Sequence, residues 1–332
     1  MPIIKGRQTY FAIKSETVRG VAETTHNKLY AFESIETDLK KEYKDIQSGF
    51  GQLHKQLDKL ELIKMAEGKV EMVMDADYIA DLLRYIYGQA TTVQDATTGA
   101  YTHTFSTLLN STESPTFTAF HSKGDAGHKI TNGCMIEDLE FDFSESGESK
   151  VSINFKALNE TNNSGTPTIN YIKPSKILLG KSLISKSANT IVGLNSGTPF
   201  KITKLNIKLK RNIKYDASFN AGLNNDILSD GFEAEVSFDA IVRSQTFYND
   251  FIAGTKKAYQ FDCEAQYLPL IGTSLTRRPR ITFDIAPSII DIKHSIPLDE
   301  FISFSATINP ELSTLDGFGI RTIVQNAIAS LI

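Results

Sequence analysis

Strict alternation of apolar and polar residues constrains this chain more than any other feature. In Leu139-Glu140-Phe141-Asp142-Phe143-Ser144 every apolar residue falls on one side of an extended backbone. Val151-Ser152-Ile153-Asn154-Phe155-Lys156-Ala157 repeats the pattern, and Glu145-Ser146-Gly147-Glu148 between them has turn chemistry. Period-2 patterning on both sides of a polar turn predicts a β-hairpin with one buried face. Leu205, Ile207 and Leu209 alternate with Asn206, Lys208 and Lys210, and Phe232–Ala240 and Ile302–Ile308 read the same way. Polar faces this regular exclude strands buried on both sides and favour antiparallel sheets.

Two segments depart from that period. In Asp75–Gly88 the residues Ile79, Leu82, Leu83 and Ile86 form one helical stripe, with an aspartate to cap the start and Gly88 to end it. Ser244–Gly254 carries a shorter stripe ending in glycine. Each predicted helix follows a predicted strand, Lys69–Met74 or Phe232–Ile241, and each half ends in a hairpin, Leu139–Ala157 or Ile289–Ile308. The text also rhymes: Asp38-Leu39-Lys40-Lys41-Glu42-Tyr43 against Lys208-Leu209-Lys210-Arg211-Asn212-Ile213. A degenerate internal duplication is therefore expected. It gives a first β domain over 1–160, a linker over 161–198, a second β domain over 199–316 and a C-terminal arm over 317–332. The linker rests on the Asn, Thr, Ser, Gly and Pro content of Asn159–Ser175. The arm is read either as docking on a neighbour or as packing on its own domain.

Chemistry-bearing motifs are sparse. Gly49-Phe50-Gly51 and Gly317-Phe318-Gly319 lack the third glycine of a dinucleotide loop. His121, His128 and Cys134 match no zinc spacing, and Asp75, Asp77 and Asp81 lack the glycine and glutamate of a calcium loop. Arg277-Arg278-Pro279-Arg280 reads as a solvated loop before a strand. No enzyme, cofactor or metal is expected. With 35 basic and 39 acidic residues the net charge is -4, which does not suit tight nucleic-acid binding. The chain has no tryptophan, which weighs against a sugar-stacking platform. Cys134 and Cys263 sit in strand-like apolar runs and read as buried free thiols. The N-terminal residues show neither signal-peptide pattern nor membrane span, so assembly in a reducing cytoplasm is expected and a secreted adhesin is disfavoured.

The chain resembles the tail tube proteins of long-tailed bacteriophages. The likeness rests on Gly68–Met74 running into the Asp75–Gly88 helix, on Tyr101–Phe105, Ser114–Thr118 and Gly133–Phe141, and on Pro199–Lys214 leading through Asp230–Val236 to Gly254-Thr255. The resemblance implies a mainly β protein with two antiparallel β-sandwich or half-barrel domains, each flanked by one helix. It implies rings stacked into a tube that conducts DNA. Two units in one chain imply a trimer with pseudo-six-fold symmetry in place of a hexamer. Implied partners are further copies of the chain, a tape measure protein or DNA in the lumen, and tail terminator and baseplate proteins. The implied location is the virion tail, after assembly in the host cytoplasm. Glu140 and Asp142, or Glu233, Glu235 and Asp239, stand on polar strand faces and are expected to line the lumen. The loops Asp45–Leu60, with Gly49 and Gly51, and Ala217–Ser229, with Gly222 and Asn225, are expected to reach the next ring. Other readings are a tube terminator or baseplate hub protein of the same fold, or the tube of a contractile injection or secretion apparatus.

Overall fold

A computed structural model describes residues 9–26, 28–47, 56–106, 114–122, 127–145, 149–163, 176–216, 226–241, 249–250, 252–265, 278–295 and 303–331. The strands are β1 (Phe11–Ser15), β2 (Lys28–Tyr30), β3 (Ser34–Gln47), β4 (Gln56–Val73), β5 (Thr91–Gln94), β6 (Tyr101–Ser106) and β7 (Phe117–Ser122). They continue as β8 (His128–Ser144), β9 (Lys150–Ala157), β10 (Asn159–Asn163), β11 (Leu178–Ala188), β12 (Thr198–Phe200), β13 (Lys204–Asp216) and β14 (Asp226–Ile241). The last are β15 (Lys257–Ala265), β16 (Arg280–Ser288), β17 (Ile290–Ser295), β18 (Ser303–Ile308) and β19 (Ile320–Asn326). One regular helix, α1 (Ala76–Tyr87), interrupts them among the described residues. The protein is mainly β, and every strand pair among the described residues is antiparallel.

The alternating strands form one ribbon in the order β3-β4-β9-β8-β13-β14-β18-β17. The first four strands come from the first half of the chain and the last four from the second. They meet where β8 pairs β13, with Leu139 opposite Leu209 and Phe141 opposite Ile207. The first half of β8 leaves this ribbon after an irregularity near Ile136 and pairs instead with β7 and β10. β1 and β2 extend that corner. Gly133 turns the strand there with φ +65, and a Cβ at that site would lie 2.6 Å from Leu158 Cδ1.

A second sheet, β12-β11-β15-β16-β19-β6-β5, covers the apolar face of the ribbon. It joins the two halves of the chain, because β19 pairs β16 on one side and β6 on the other. Phe141 meets Phe283 at 5.2 Å between ring centroids, and Phe238 meets Phe261 at 5.8 Å. These contacts belong to a single core that draws on both halves. At Gly180 the layers come so close that a Cβ would stand 2.2 Å from the Ser144 carbonyl oxygen.

Helix α1 starts where Asp75 Oδ1 accepts a bond from Asp77 N at 2.9 Å, and it ends at Gly88 with φ 85. The apolar stripe expected on one face is exceeded: Tyr78, Asp81 and Tyr85 are buried as well. Asp81 is fully buried and bonded by Lys28 Nζ at 2.7 Å and Tyr30 Oη at 3.3 Å. Arg211, projecting from β13 in the second half, closes the other end. Its Nε donates to Ile86 O at 2.5 Å and its Nη2 to Tyr87 O at 3.2 Å.

Several local expectations are replaced. Asp45 and Leu60, read as loop, lie in paired strands, Asp45 opposite Lys59 and Leu60 opposite Lys44. The stretch 161–198, read as a linker, contains β11 of the second sheet and reaches the first residue of β12. Within 317–332, Ile320–Asn326 is an internal strand of that sheet. Of the helix expected over Ser244–Gly254, the described part is a helical turn in which Ala253 N bonds Asn249 O at 2.9 Å, ending at Gly254 with φ 61.

Candidate assembly surface

Because β-strand side chains alternate, the residues opposite the core make one continuous polar face across the ribbon. All five residues expected at a lumen wall stand on it. Glu140 and Asp142 are half-buried on β8; Glu233 and Glu235 are exposed on β14, and Asp239 is half-buried there. Cross-strand register sets lysines among them. Lys208 lies opposite both Glu140 and Glu235, Lys210 opposite Glu233 and Asp138, Lys204 opposite Asp239, and Lys150 opposite Asp142.

The carboxylates also have hydrogen-bond or ionic partners. Asn206 Nδ2 donates to Glu140 Oε1 at 2.7 Å, Ser305 Oγ donates to Asp239 Oδ1 at 2.6 Å, and Lys208 Nζ stands 3.7 Å from Asp138 Oδ1. Toward β3, Lys156 pairs with Glu137 at 2.7 Å, Lys69 with Glu71 at 2.9 Å and Lys40 with Glu67. The hydrogen bond from Lys69 lowers the Glu71 carboxyl below its usual range and raises the Lys69 ammonium above its own. Both partners therefore stay charged at neutral pH. The ribbon positions on this face carry lysine and no arginine. A lysine is a point charge, whereas arginine supplies the fork that grips phosphate bidentately.

Two further features bear on assembly. Among the described residues β3 and β17 each pair with one strand, so they form the outer edges of the ribbon, where a further strand can add. The hairpins β3–β4 and β13–β14 also overrun the ribbon. Beyond Ala66 the strand β4 pairs only β3, and before Val236 the strand β14 pairs only β13. Gly49, Gly51, Ala217, Gly222 and Asn225, expected at the tips of these projections, lie outside the described residues. The stem of the second projection packs back on the first half. Ile213 and Ile227 join Met135 and Leu158, Tyr215 Oη donates to Ala66 O at 3.3 Å, and Arg19 Nε reaches Asp226 Oδ1 at 2.7 Å.

The residues weighed for chemistry have structural roles. Asp75 caps α1, Asp77 pairs with Lys176, and Asp81 is neutralised by Lys28. Arg280 is held by Asp262 and Glu264. His121 lies 3.6 Å from Glu160, and His128 packs on Tyr10 at 5.8 Å. Cys134 and Cys263 are free and buried, and burial raises both thiols, Cys263 to about 12. Among the described residues no three His, Cys, Asp or Glu side chains are grouped to hold a metal, and no helix is long and apolar enough to cross a membrane. Sequence reasoning missed the buried roles of Arg211 and Asp81. Each had a signal: Arg211 occupies an apolar slot after Leu205, Ile207 and Leu209, and Asp81 interrupts an almost wholly apolar helix.

Comparison with curated proteins finds no match. A family model described as phage tail tube protein matches residues 6–297. That match spans every strand of the ribbon except β18 and every strand of the second sheet except β19, and the chain belongs to the phage tail tube family, whose members are structural components of the virion tail.

Proposed function

We propose that three copies of this chain close into a ring, and that the rings stack into a tube conducting DNA. The observation that carries this reading is the strand order. Each half contributes four strands to the ribbon, β3-β4-β9-β8 and then β13-β14-β18-β17, and the halves follow head to tail. A head-to-tail contact that turns by a fixed angle closes into a ring, and closure removes the free edges. The junction of β8 with β13 is then an intrachain copy of the contact needed between chains.

Strand spacing is compatible with three chains. At about 4.8 Å per strand, three eight-stranded ribbons close at a backbone diameter of at least roughly 37 Å, and strand tilt only widens it. Side chains fill about 5 Å on each inner face, half the usual spacing between packed sheets, leaving at least about 27 Å. A DNA duplex has grooves about 8.5 and 7.5 Å deep on opposite sides of its base pairs, so it is at least about 16 Å across and passes this opening.

In this ring the polar face lines the lumen, with Glu140, Asp142, Glu233, Glu235 and Asp239 among its acidic residues. Paired lysines and carboxylates give the polymer few free cations to displace counterions, which keeps affinity low. The overrunning hairpins β3–β4 and β13–β14 reach the next ring. DNA or a tape measure protein occupies the lumen, terminator and baseplate proteins cap the ends, and assembly takes place in the host cytoplasm. Electron microscopy and native mass measurement of the purified chain test the reading. Hollow tubes or stacked rings of three chains are expected. A strictly monomeric protein under every condition overturns it, and rings that never stack favour a tube terminator of the same fold.

A further inference from the structure

We infer that β3 and β17 of neighbouring chains form one specific seam, with Asp38 opposite Lys293 and Lys40 opposite Asp291. The inference rests on the ring reading above and deepens it by assigning the register and the charge code of the contact.

The internal seam supplies the template. The hairpin β8–β9 pairs Asp142 with Lys150, and the last described pair of β17–β18 is Ser295↔Ser303. Each of these pairs encloses seven residues, and the two hairpins align on them. Carried across the next strand, Val151↔Met72 corresponds to Phe304↔Ala240. Carried once more, Glu71↔Ser34 corresponds to Asp239↔Lys204. Ser34 therefore sits where Lys204 sits, Asp38 where Lys208 sits, and Lys40 where Lys210 sits. The sequence rhyme of Asp38–Tyr43 with Lys208–Ile213 gives the same alignment without using any strand pairing. Each hairpin also carries a ladder slip nearby, between Glu42 and Tyr43 in one and, one residue earlier in this alignment, between Arg211 and Asn212 in the other. On the other edge, Glu140 matches Lys293 and Asp138 matches Asp291.

At the internal seam Lys208 faces Glu140, Lys210 faces Asp138, and the buried Leu209 faces the buried Leu139. Transposed to the outer edges, these become Asp38 facing Lys293, Lys40 facing Asp291 and Leu39 facing Ile292. Asp38, Lys40, Asp291 and Lys293 are exposed, and Leu39 and Ile292 are only partly buried. Both ionic pairs are complementary, and one has its polarity reversed relative to the internal seam. That reversal discriminates. If β3 of a second chain displaced β13 from β8, Asp38 would face Glu140. If β13 met β17, Lys208 would face Lys293. Like charges directly opposite one another destabilise a strand pair, so the code keeps the intrachain and interchain seams from exchanging.

Disulfide trapping in the full chain tests the register. Directly opposed residues have Cα atoms about 4.5–5.5 Å apart, inside the reach of a disulfide, whereas diagonal neighbours lie about 7–8 Å apart. Mild oxidation of Asp38→Cys/Lys293→Cys should give covalent dimers and trimers on denaturing gels, reversed by reductant. Asp38→Cys/Asp291→Cys should give several-fold less. In an otherwise native chain, Lys293→Asp should raise the concentration needed for assembly about fivefold per seam, for a swing of about 1 kcal/mol. Asp38→Lys in the same chain should restore it. Rings that form without the Asp38–Lys293 crosslink, or with the diagonal pair trapped better, overturn this register and leave the ring standing. A wild-type chain that never assembles overturns both.

Discussion

Replacing Arg211 by methionine tests whether the two halves hold each other through the end of α1. Arg211 is 5% exposed and donates to Ile86 O, Tyr87 O and Ser229 Oγ. Methionine fills similar space and donates nothing. Hydrogen bonds from a charged group contribute about 1.5–3 kcal/mol each, so the two to the helix carbonyls total roughly 3–6 kcal/mol. Removing a buried guanidinium also relieves a desolvation cost of a few kcal/mol, which offsets part of the loss. The positive charge at the helix C-terminus adds up to about 2 kcal/mol in the direction of loss. The expected net cost is about 2–4 kcal/mol. For a chain of this size each kcal/mol moves the melting midpoint by about 2 °C, so a fall of about 4–8 °C is expected. The assay is thermal unfolding of unassembled chain at one scan rate. Arg211→Lys keeps the charge and loses the fork, and should fall about halfway. A methionine variant melting within about 1 °C of the parent would refute the reasoning.

Two further outcomes follow from buried or partly buried ionisable groups. Lys28→Met leaves Asp81 in the core without its cation and should cost about 3–5 kcal/mol, whereas Lys28→Met/Asp81→Leu should recover most of that; denaturant midpoints of the single and double variants check it. His26 has its pKa lowered by desolvation and by the nearby Lys14 charge. Between that lowered value and 6.5 the unfolded chain binds the proton and the folded chain does not, so stability rises with pH through this window. Thermal midpoints of the parent should fall from pH 7 to pH 5, and His26→Gln should fall less over the same range.

Much of the ribbon is legible in the sequence because its strands have one wet face. Leu139–Ala157 and Ile289–Ile308 are hairpins because their apolar residues recur at every second position between polar turns. The cap at Asp75 and the stop at Gly88 are readable for equally local reasons. What escapes is non-local. Lys44, Asp45, Lys59 and Leu60 have the polar composition of a loop, yet each is paired across a hairpin stem, where backbone bonding overrides weak β propensity. The strand β11 carries Gly180 and Lys181 and alternates poorly, and only a partner sheet tells it from a linker. β19 looks like a tail because nothing in Ile320–Asn326 reveals that β6 and β16 leave a gap for it. The five acidic residues of the polar face were legible from alternation; the lysines opposite them required the register.

The same rows that make the proposed seam also make the proposed wall, and this ties closure to transparency toward DNA. Inside the chain, Lys208 and Lys210 stand between carboxylates on either side. At the free edges Lys293 and Asp291 have neighbours on one side only, from β18. An open chain therefore presents edge charges that a polyanion could engage, since each lysine that meets a phosphate strengthens binding by releasing counterions. Closing the seam sets Asp38 against Lys293 and Lys40 against Asp291, which completes the lattice. A ring built this way holds nucleic acid less tightly than its separated subunits do. Screening acts on both effects together: salt weakens the exposed seam pairs, and it weakens whatever attraction the open edge retains. A conduit assembled from such chains becomes least adhesive at the moment it becomes continuous.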